Sequence, residues 1–283
     1  MTHTWDAQAY LSFEDERARP FGDLMTRVTV AAPRLVVDLG CGAGNLTQRL
    51  AQRWPSATVI GVDSSAEMIA AASRSASSRV MFHLDDLRHW RPGQPIDVLV
   101  SNATLQWVPN HLELLAQLVD DVSPEGQIAI QVPGNFEEPS HRLMYELAAD
   151  PRFAEHTRGV ARPSACGPEV YLAEFARLGC SVDAWETTYI HVLQGTDPVL
   201  RWISGTGARP ILAALPSALR AEFEKEYAAA LRHAYPEQQI GTVLPFRRVF
   251  AVASKQARDQ GSTDVRIGLC SSPDSPCHAR LTR

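Results

Sequence analysis

Leu35-Val36-Val37-Asp38-Leu39-Gly40-Cys41-Gly42-Ala43-Gly44-Asn45 is the stretch that decides the fold of this chain. A short apolar run ends at Asp38, glycines follow at alternate positions, and Leu46-Thr47-Gln48-Arg49-Leu50-Ala51 opens a helix. An apolar run of strand length, a glycine-rich turn and a helix together describe a buried parallel strand entering a crossover. Glycine permits positive φ in such a turn and lets a ligand approach the backbone. The helix N-terminus behind it favours polar or anionic ligand groups.

Working outward, a second strand, Ala57-Thr58-Val59-Ile60-Gly61-Val62-Asp63, follows one helix later and also ends in an acid. An acid at that tip can accept hydrogen bonds from both hydroxyls of a ribose. The dinucleotide fingerprint would be G-x-G-x-x-G, but here the third glycine comes one place early and Asn45 stands at the dinucleotide position. G-x-G-x-G behind an acid-tipped strand resembles motif I of the class I S-adenosylmethionine-dependent methyltransferases.

Composition is ordinary for a soluble globular protein. The 283 residues, 45% hydrophobic and 21% charged, suffice for one large α/β domain or two small ones. A net charge of −5 offers no basic field for nucleic acid. No apolar run is long enough to cross a bilayer, and Met1 to Tyr10 lacks the apolar core of a signal peptide. A cytoplasmic protein is expected. The five cysteines show no metal-type spacing, so no metal is expected.

In chain order, Trp5 to Val30 contains Leu24, Met25 and Val28 at helical spacing, predicting a helix toward Pro33. It either covers the sheet or forms a lid over a cofactor cleft, and the two are compatible. Strands are predicted at Leu35–Leu39, Thr58–Asp63, Arg79–Leu84, Ile96–Ser101 and Gln127–Val132. Ser64 is read as the cap of the helix after the second strand, with Glu67 three residues on. A helix is expected from Asn110 to Val119 and a turn at Pro124-Glu125-Gly126. Each acid, amide or small residue falls at the carboxyl end of a strand, where open α/β sheets place their ligands. Beyond Pro133, helices are expected at Glu138–Ala149 and from Pro168 to Leu178, a strand at Ser181–Leu193 and a helical stretch from Asp197 to Tyr235. A last strand, Phe246–Ala253, is expected antiparallel to the one before it. The predicted organisation is an N-terminal lid (1–33), a cofactor-binding core (34–133), the rest of the sheet with helical cap inserts (134–256) and a disordered tail (257–283).

Several stretches together resemble the trans-aconitate 2-methyltransferase family, bacterial small-molecule carboxyl methyltransferases. They are Tyr10-Leu11-x-Phe13 with Arg17-Ala18-Arg19-Pro20, Asp38 to Asn45, and Gly61-Val62-Asp63-Ser64-Ser65-x-x-Met68. Asn102-Ala103-Thr104-Leu105-Gln106-Trp107, Thr187-Thr188-Tyr189-x-His191 and Thr206-Gly207-Ala208-Arg209-Pro210 complete the match. Ala43 replaces the family's usual proline, and Asp85-Asp86 replaces Ala-Asp.

The resemblance implies a Rossmann-like fold, a seven-stranded mostly parallel sheet with helices on both faces and a helical cap. It implies S-adenosylmethionine as cofactor and a small polycarboxylic acid, most specifically trans-aconitate, as acceptor. The backbone from Gly40 and Cys41 through Gly42 and Gly44 to Asn45 would lie against the amino acid and ribose. Asp38 would orient that loop or meet the amino group through water. Asp63 would take the ribose hydroxyls beside Ser64. Met68 and Leu87 would sandwich the adenine or simply be core, and Asp86 would accept from its amine. Asn102 and Ala103 would offer backbone oxygens to the methionyl ammonium. Arg19, Gln106, Tyr189, His191 and Arg209 would hold the acid, although His191 has a structural reading and Arg209 a solvated one. Trp107 is either pocket wall or core. A carboxylate is ionised at neutral pH, so no general base is required and no residue is nominated as a chemical catalyst. The rival readings are a methyltransferase for another small acceptor and an inactive binding protein of the same fold.

Overall fold

The structure, a computed structural model, describes residues 14–257, with side chains from Arg19 onward. The expected tail from residue 258 and the N-terminal aromatics Tyr10 and Phe13 lie outside the described residues. The first described helix is α1 (Glu14–Thr26). The alternation that follows is β1 (Leu35–Leu39), α2 (Asn45–Arg53), β2 (Thr58–Asp63), α3 (Ala66–Ala72), β3 (Val80–Leu84), β4 (Ile96–Asn102), α4 (His111–Asp121) and β5 (Val122–Pro133). Then come α5 (Pro139–Ala148), α6 (Pro151–Thr157), α7 (Pro168–Arg177) and β6 (Cys180–Leu193). The chain closes with α8 (Pro198–Ser204), α9 (Arg209–Ala214), α10 (Ser217–Ala234), β7 (Glu237–Gln238) and β8 (Gly241–Lys255).

The sheet runs β3-β2-β1-β4-β5-β8-β6, with the short β7 paired to β8 off that path. Strands β1 to β5 are mutually parallel, and β8 runs antiparallel between β5 and β6. This is the mostly parallel, seven-stranded Rossmann-like sheet expected, with β7 added. Every residue of β1 is buried, as a strand covered on both faces must be. Alternate side chains sort to the two faces. One face holds Val36, Val98, Val100, Ala129, Phe250 and Val252 beneath α1 and α2. The other holds Val37, Leu99, Ile128, Ile130 and Ala251 beneath α4 and α7.

Beyond Pro133 the strands β6 and β8 continue as a two-stranded ribbon, from Thr188↔Arg247 to Leu193↔Thr242. A third apolar cluster mounts the cap on that ribbon. Leu193, Leu244 and Phe246 pack there with Trp202, Phe153, Phe223 and Tyr227 from the cap helices. Arg152 ties α6 to α10 through Glu222 and Glu226.

Several expected boundaries differ, each for a local reason. The helix after β2 is capped by Ser65, not Ser64: Ser65 Oγ accepts the Met68 N–H, because Asp63 Oδ1 draws the Ser65 N–H inward at 2.9 Å and leaves Ser64 exposed. The predicted turn at 124–126 is an irregularity inside β5, where the register jumps from Ile96↔Val122 to Val98↔Gln127 and Glu125 takes φ 66°. The single helical stretch after Asp197 is three helices, interrupted at Gly205–Ala208 and at Leu215-Pro216. Helix α6, which the sequence reading missed, starts at Pro151 with Asp150 accepting the Arg152 N–H at 3.0 Å.

Candidate active site

The glycine loop leaves β1 and turns into α2. Gly40, Gly42 and Gly44 have φ of 78°, 54° and 85°, but only Gly42 faces open space. A Cβ on Gly40 would lie 2.0 Å from Thr104 Oγ1, and one on Gly44 would lie 2.9 Å from the Phe82 ring. Two glycines therefore serve close packing, and the middle one clears a surface for a ligand. Cys41 turns its side chain into the sheet against Gly61, and burial pushes its thiol pKa up. Its own chemistry is withdrawn, leaving only its backbone at the loop.

Asp63 holds this loop in place. Its Oδ2 accepts the Gly42 N–H and its Oδ1 the Ser65 N–H, both at 2.9 Å. Burial raises its pKa against the lowering effect of those bonds. Asp38 is 2% exposed and accepts the Thr47 hydroxyl at 2.7 Å. Burial raises it to about 6, Thr47 opposes, and the nearby Asp63 adds to the rise. A buried and a half-buried acid on adjacent strand tips could take a cation or a set of donors.

Around this centre, Met68 is buried and Leu87 packs partly against the core. Asp86 accepts Arg88 Nε at 3.0 Å, and that contact pulls its carboxyl down to about 2. Arg88, missed in the sequence, therefore competes for the carboxylate expected to meet an adenine amine. Asp85 accepts the Asp86 N–H at 2.7 Å and shapes the turn. Asn45 is exposed at the start of α2.

At the ends of β4 and β5 the backbone is held unusually. Ala103 takes φ 54° and donates its N–H to Gln131 O at 2.8 Å. Gln106 Nε2 donates to Ala103 O at 2.6 Å, so one expected acceptor-binding side chain engages a carbonyl expected to meet the ammonium. Four side-chain atoms here are buried without a hydrogen-bond partner: Asn102 Oδ1, Gln106 Oε1, Gln131 Nε2 and Asn135 Oδ1. Buried polar atoms are nearly always satisfied, so a group of four is a candidate place for a polar ligand or bound water.

Asn135 Nδ2 lies 3.4 Å from His141 Nδ1, and burial holds His141 neutral at about 4. A Cβ on Gly207 would meet His141 Nε2 at 2.7 Å, which explains the glycine of the Gly-x-Arg-Pro stretch. Gln131 and Asn135 were missed in the sequence, where their one signal is a pair of amides at a strand end, in Gln131-Val132-Pro133-Gly134-Asn135. His141 carried no sequence signal.

The residues expected to hold the acid divide. Tyr189 is buried under α1, its hydroxyl donates to Asp23 Oδ2 at 2.6 Å, and the Arg19 guanidinium lies 5.1 Å from its ring. His191 lies against Trp202, ring centroids 4.5 Å apart, in the cap core. Arg209 begins α9, and its charge reaches Glu67 at the start of α3. The Glu67 carboxyl is lowered first by its own N–H, then by the Ser65 hydroxyl, and further by Arg209. Arg19 thus lies beside Tyr189 of β6, and Arg209 within electrostatic reach of the start of α3. Trp107 is partly exposed in the turn after β4. Among the described residues, no group of His, Cys, Asp and Glu could hold a metal ion, and no helix is long and apolar enough to cross a membrane.

The methyltransferase domain family matches residues 36–126. The trans-aconitate 2-methyltransferase of Streptomyces avermitilis is 49% identical over 263 residues, 90% of this chain and 98% of that protein. That of Streptomyces coelicolor is 50% identical over 263 residues, 89% of this chain and 87% of its own. Among solved structures, the YcgJ protein of Bacillus subtilis superposes with a TM-score of 0.55 at 16% identity, covering 84% of this chain and 99% of that one. Mycolic acid cyclopropane synthase CmaA1, in complex with S-adenosylhomocysteine, superposes with a TM-score of 0.54 at 11% identity, covering 90% of each chain. These structural likenesses concern the fold.

Proposed function

This chain belongs to the trans-aconitate 2-methyltransferase family, and from that membership we propose that it transfers a methyl group from S-adenosylmethionine to a carboxylate oxygen of trans-aconitate. The products are a monomethyl ester and S-adenosylhomocysteine. The observation that carries the reading is the group of unpartnered buried polar atoms beside the two acid-tipped strands. When bound, S-adenosylmethionine supplies an electrophilic methyl on a positively charged sulfur.

The chain's own residues bind, orient and exclude water. Asp63 keeps lone pairs free for ribose hydroxyls after accepting Gly42 and Ser65, and Ser64 flanks it. Gly40, Cys41, Gly44 and Asn45 present backbone around the open face at Gly42. Asp38, fixed by Thr47, sets the loop and the local negative field. Asn102 Oδ1 and Gln106 Oε1 are acceptors suited to the methionyl ammonium, with Ala103 holding the turn between them. Met68 and Leu87 enclose the adenine, and Asp86 accepts from its amine where Arg88 leaves room. Arg19 and Arg209 close the cleft from its two ends with positive charge, while Tyr189 and His191 frame the acid's side. The remaining catalytic work is in-line placement, worth roughly 7–11 kcal/mol of barrier when orientation is good. In this reading, residues 34–133 hold the cofactor, and 14–33 with 134–256 close over the acid. A cytoplasmic site of action is supported by free Cys41, Cys166 and Cys180, and a small acid rather than nucleic acid by the net charge of −5.

Transfer of labelled methyl from S-adenosylmethionine, screened over di- and tricarboxylic acids, tests the proposal. Turnover should be highest with trans-aconitate. A protein that binds the cofactor by calorimetry yet methylates none of these acids would overturn it.

A pH dependence follows from Asp38. Its folded pKa near 6 lies above the ordinary 3.8, so the unliganded fold retains a proton that the unfolded chain has lost between these values. This group therefore makes the unliganded protein less stable as pH rises through that window. A cationic ligand favours the ionised form, so its affinity should fall below about pH 6, by up to about tenfold per pH unit, with a proton released on binding. Calorimetry at pH 5 and pH 7 in buffers of different ionisation heat reads both effects. Asp38→Asn should abolish them; an unchanged profile in that variant would assign the dependence elsewhere.

A further inference from the structure

A cavity of about 240 Å³ opens in the cap between α5, α6 and α9, and none of its lining side chains has a role in the reading above. We propose that it is a second binding site, which takes a small aliphatic monocarboxylate and is coupled to the residues expected to hold the acceptor. Its coupling rests on the methyl-transfer reading, whereas its occupancy does not.

The polar side chains of the wall select the ligand. The Tyr145 hydroxyl is buried without a hydrogen-bond partner. Burial pushes its pKa up to about 12, against the opposing charge of Arg162, so it keeps a proton to donate. The Arg162 guanidinium lies 4.5 Å from the centre of the Tyr145 ring, and Arg158 reaches the cavity from the end of α6. Among the described residues neither arginine is in an ion pair, whereas Arg142 of α5 and Arg152 of α6 each hold a carboxylate. An unused donor beside two cations calls for an anion, and a carboxylate's two oxygens suit one guanidinium fork and one hydroxyl. Thr157 has no proton left for a further oxygen, since its hydroxyl is given to Ala148 O at 2.7 Å. The rest of the wall, including Ala148, Val160 and Ile211, is apolar and suits a hydrocarbon body. The volume is below the roughly 300–1,000 Å³ of sites for drug-sized ligands, so that body has only a few carbons.

The same elements run on to the candidate active site. His141, whose Nε2 a Cβ on Gly207 would meet, stands about one turn before Tyr145 on α5. Gly207 and Arg209 lead into α9, which brings Ile211 to the cavity. Ser164, two residues past Arg162, donates its N–H to Gln106 O at 3.0 Å. A carboxylate held between Tyr145 and Arg162 would fix α5 against the segment 158–164, with α9 packed on its hydrocarbon body. Gln106 and Arg209 would then be better ordered for the acceptor, and by linkage each ligand would tighten the other.

Calorimetry of the full chain with butyrate, and separately with inorganic phosphate, tests the site. Butyrate should bind once per chain and more tightly than phosphate. Arg162→Gln and Tyr145→Phe should each weaken it by about 10- to 100-fold, as loss of a charged hydrogen bond predicts. Arg162 is exposed and Tyr145→Phe removes only an unpaired hydroxyl, so both variants should melt no lower than the parent without ligand. In steady-state kinetics butyrate should lower the KM for trans-aconitate by about fivefold in the parent and leave both variants unmoved. No heat with either anion, or equal butyrate affinity in parent and variants, overturns the site. Tighter binding of phosphate overturns the carboxylate assignment. Butyrate that competes with trans-aconitate overturns the separate site and makes the cavity part of the acceptor's own. A parent that binds butyrate through Arg162 and Tyr145 yet methylates no polycarboxylate upholds the site and overturns the methyl-transfer reading alone.

Discussion

Asp63→Ala should weaken S-adenosylmethionine binding by about 10²- to 10⁴-fold. Two hydrogen bonds from ribose hydroxyls to a charged acceptor disappear, at roughly 1.5–3 kcal/mol each. The same carboxylate also holds Gly42 N–H and Ser65 N–H at 2.9 Å, so the open face of the glycine loop loses its anchor when the ligand loses its partner. Asp63→Asn keeps one acceptor oxygen and turns a donor toward one of those N–H groups, and should fall between the alanine variant and the parent. Calorimetry on the three proteins decides it. Equal affinity in all of them would remove Asp63 from the site.

Gly40→Ala should be nearly as damaging, through packing. The new Cβ would lie 2.0 Å from Thr104 Oγ1 and 2.6 Å from Thr104 Cβ, at a φ of 78°. Positive φ costs a non-glycine residue about 1–2 kcal/mol. Overpacking adds about 1–3 kcal/mol. Melting temperature and cofactor affinity should both drop, because Thr104 bridges Gly40 O and Asn102 O across the floor of the site, each at 3.3 Å. The second substitution identifies the cause. Thr104→Ala leaves the offending Cβ in place and should not rescue, whereas Thr104→Gly should restore part of the loss. A Gly40→Ala protein that melts and binds like the parent would show that the loop relaxes freely.

Much of this arrangement was legible in the sequence because it is local. Asp38, the three glycines and Asp63 fall on strand tips and one tight turn, and spacing alone puts them at the carboxyl edge of a parallel sheet. The start of β8 was less legible. Gly241 to Pro245 has no apolar alternation, and the strand persists there because it pairs with Gln194's neighbours at the end of β6 rather than by its own pattern. The helical stretch after Asp197 read as one unit because its composition is uniform. Gly205, Gly207 and Pro216 break it, and Gly207 is required by contact with His141, a residue more than sixty positions earlier. Ser65 displaced Ser64 as cap for a similar reason: two serines in a row look alike until the Asp63 carboxylate selects one. The end of β5 was least legible. Gln131 and Asn135 acquire meaning only from which of their side-chain atoms remain unsatisfied in the fold. Tyr189 and His191 were read in sequence as ligand contacts; the structure adds that Tyr189 packs beneath α1 and that the His191 ring lies against Trp202, which no local pattern announces.

The insertion of β8 between β5 and β6 has a consequence for how the protein is made. Among the described residues, strand β6 pairs with β8 alone, and the cap is mounted on the ribbon these two strands form. A nascent chain that has emerged as far as α10 can join β1 to β5 through their parallel neighbours. It cannot attach β6 to the sheet or settle the cap until β8 has left the ribosome. Pairings so distant in sequence are slow to form, and a sheet edge awaiting its partner is exposed to association with other chains. The ribbon and the cap mounted on it are therefore completed after the parallel part of the sheet, once β8 has been synthesised.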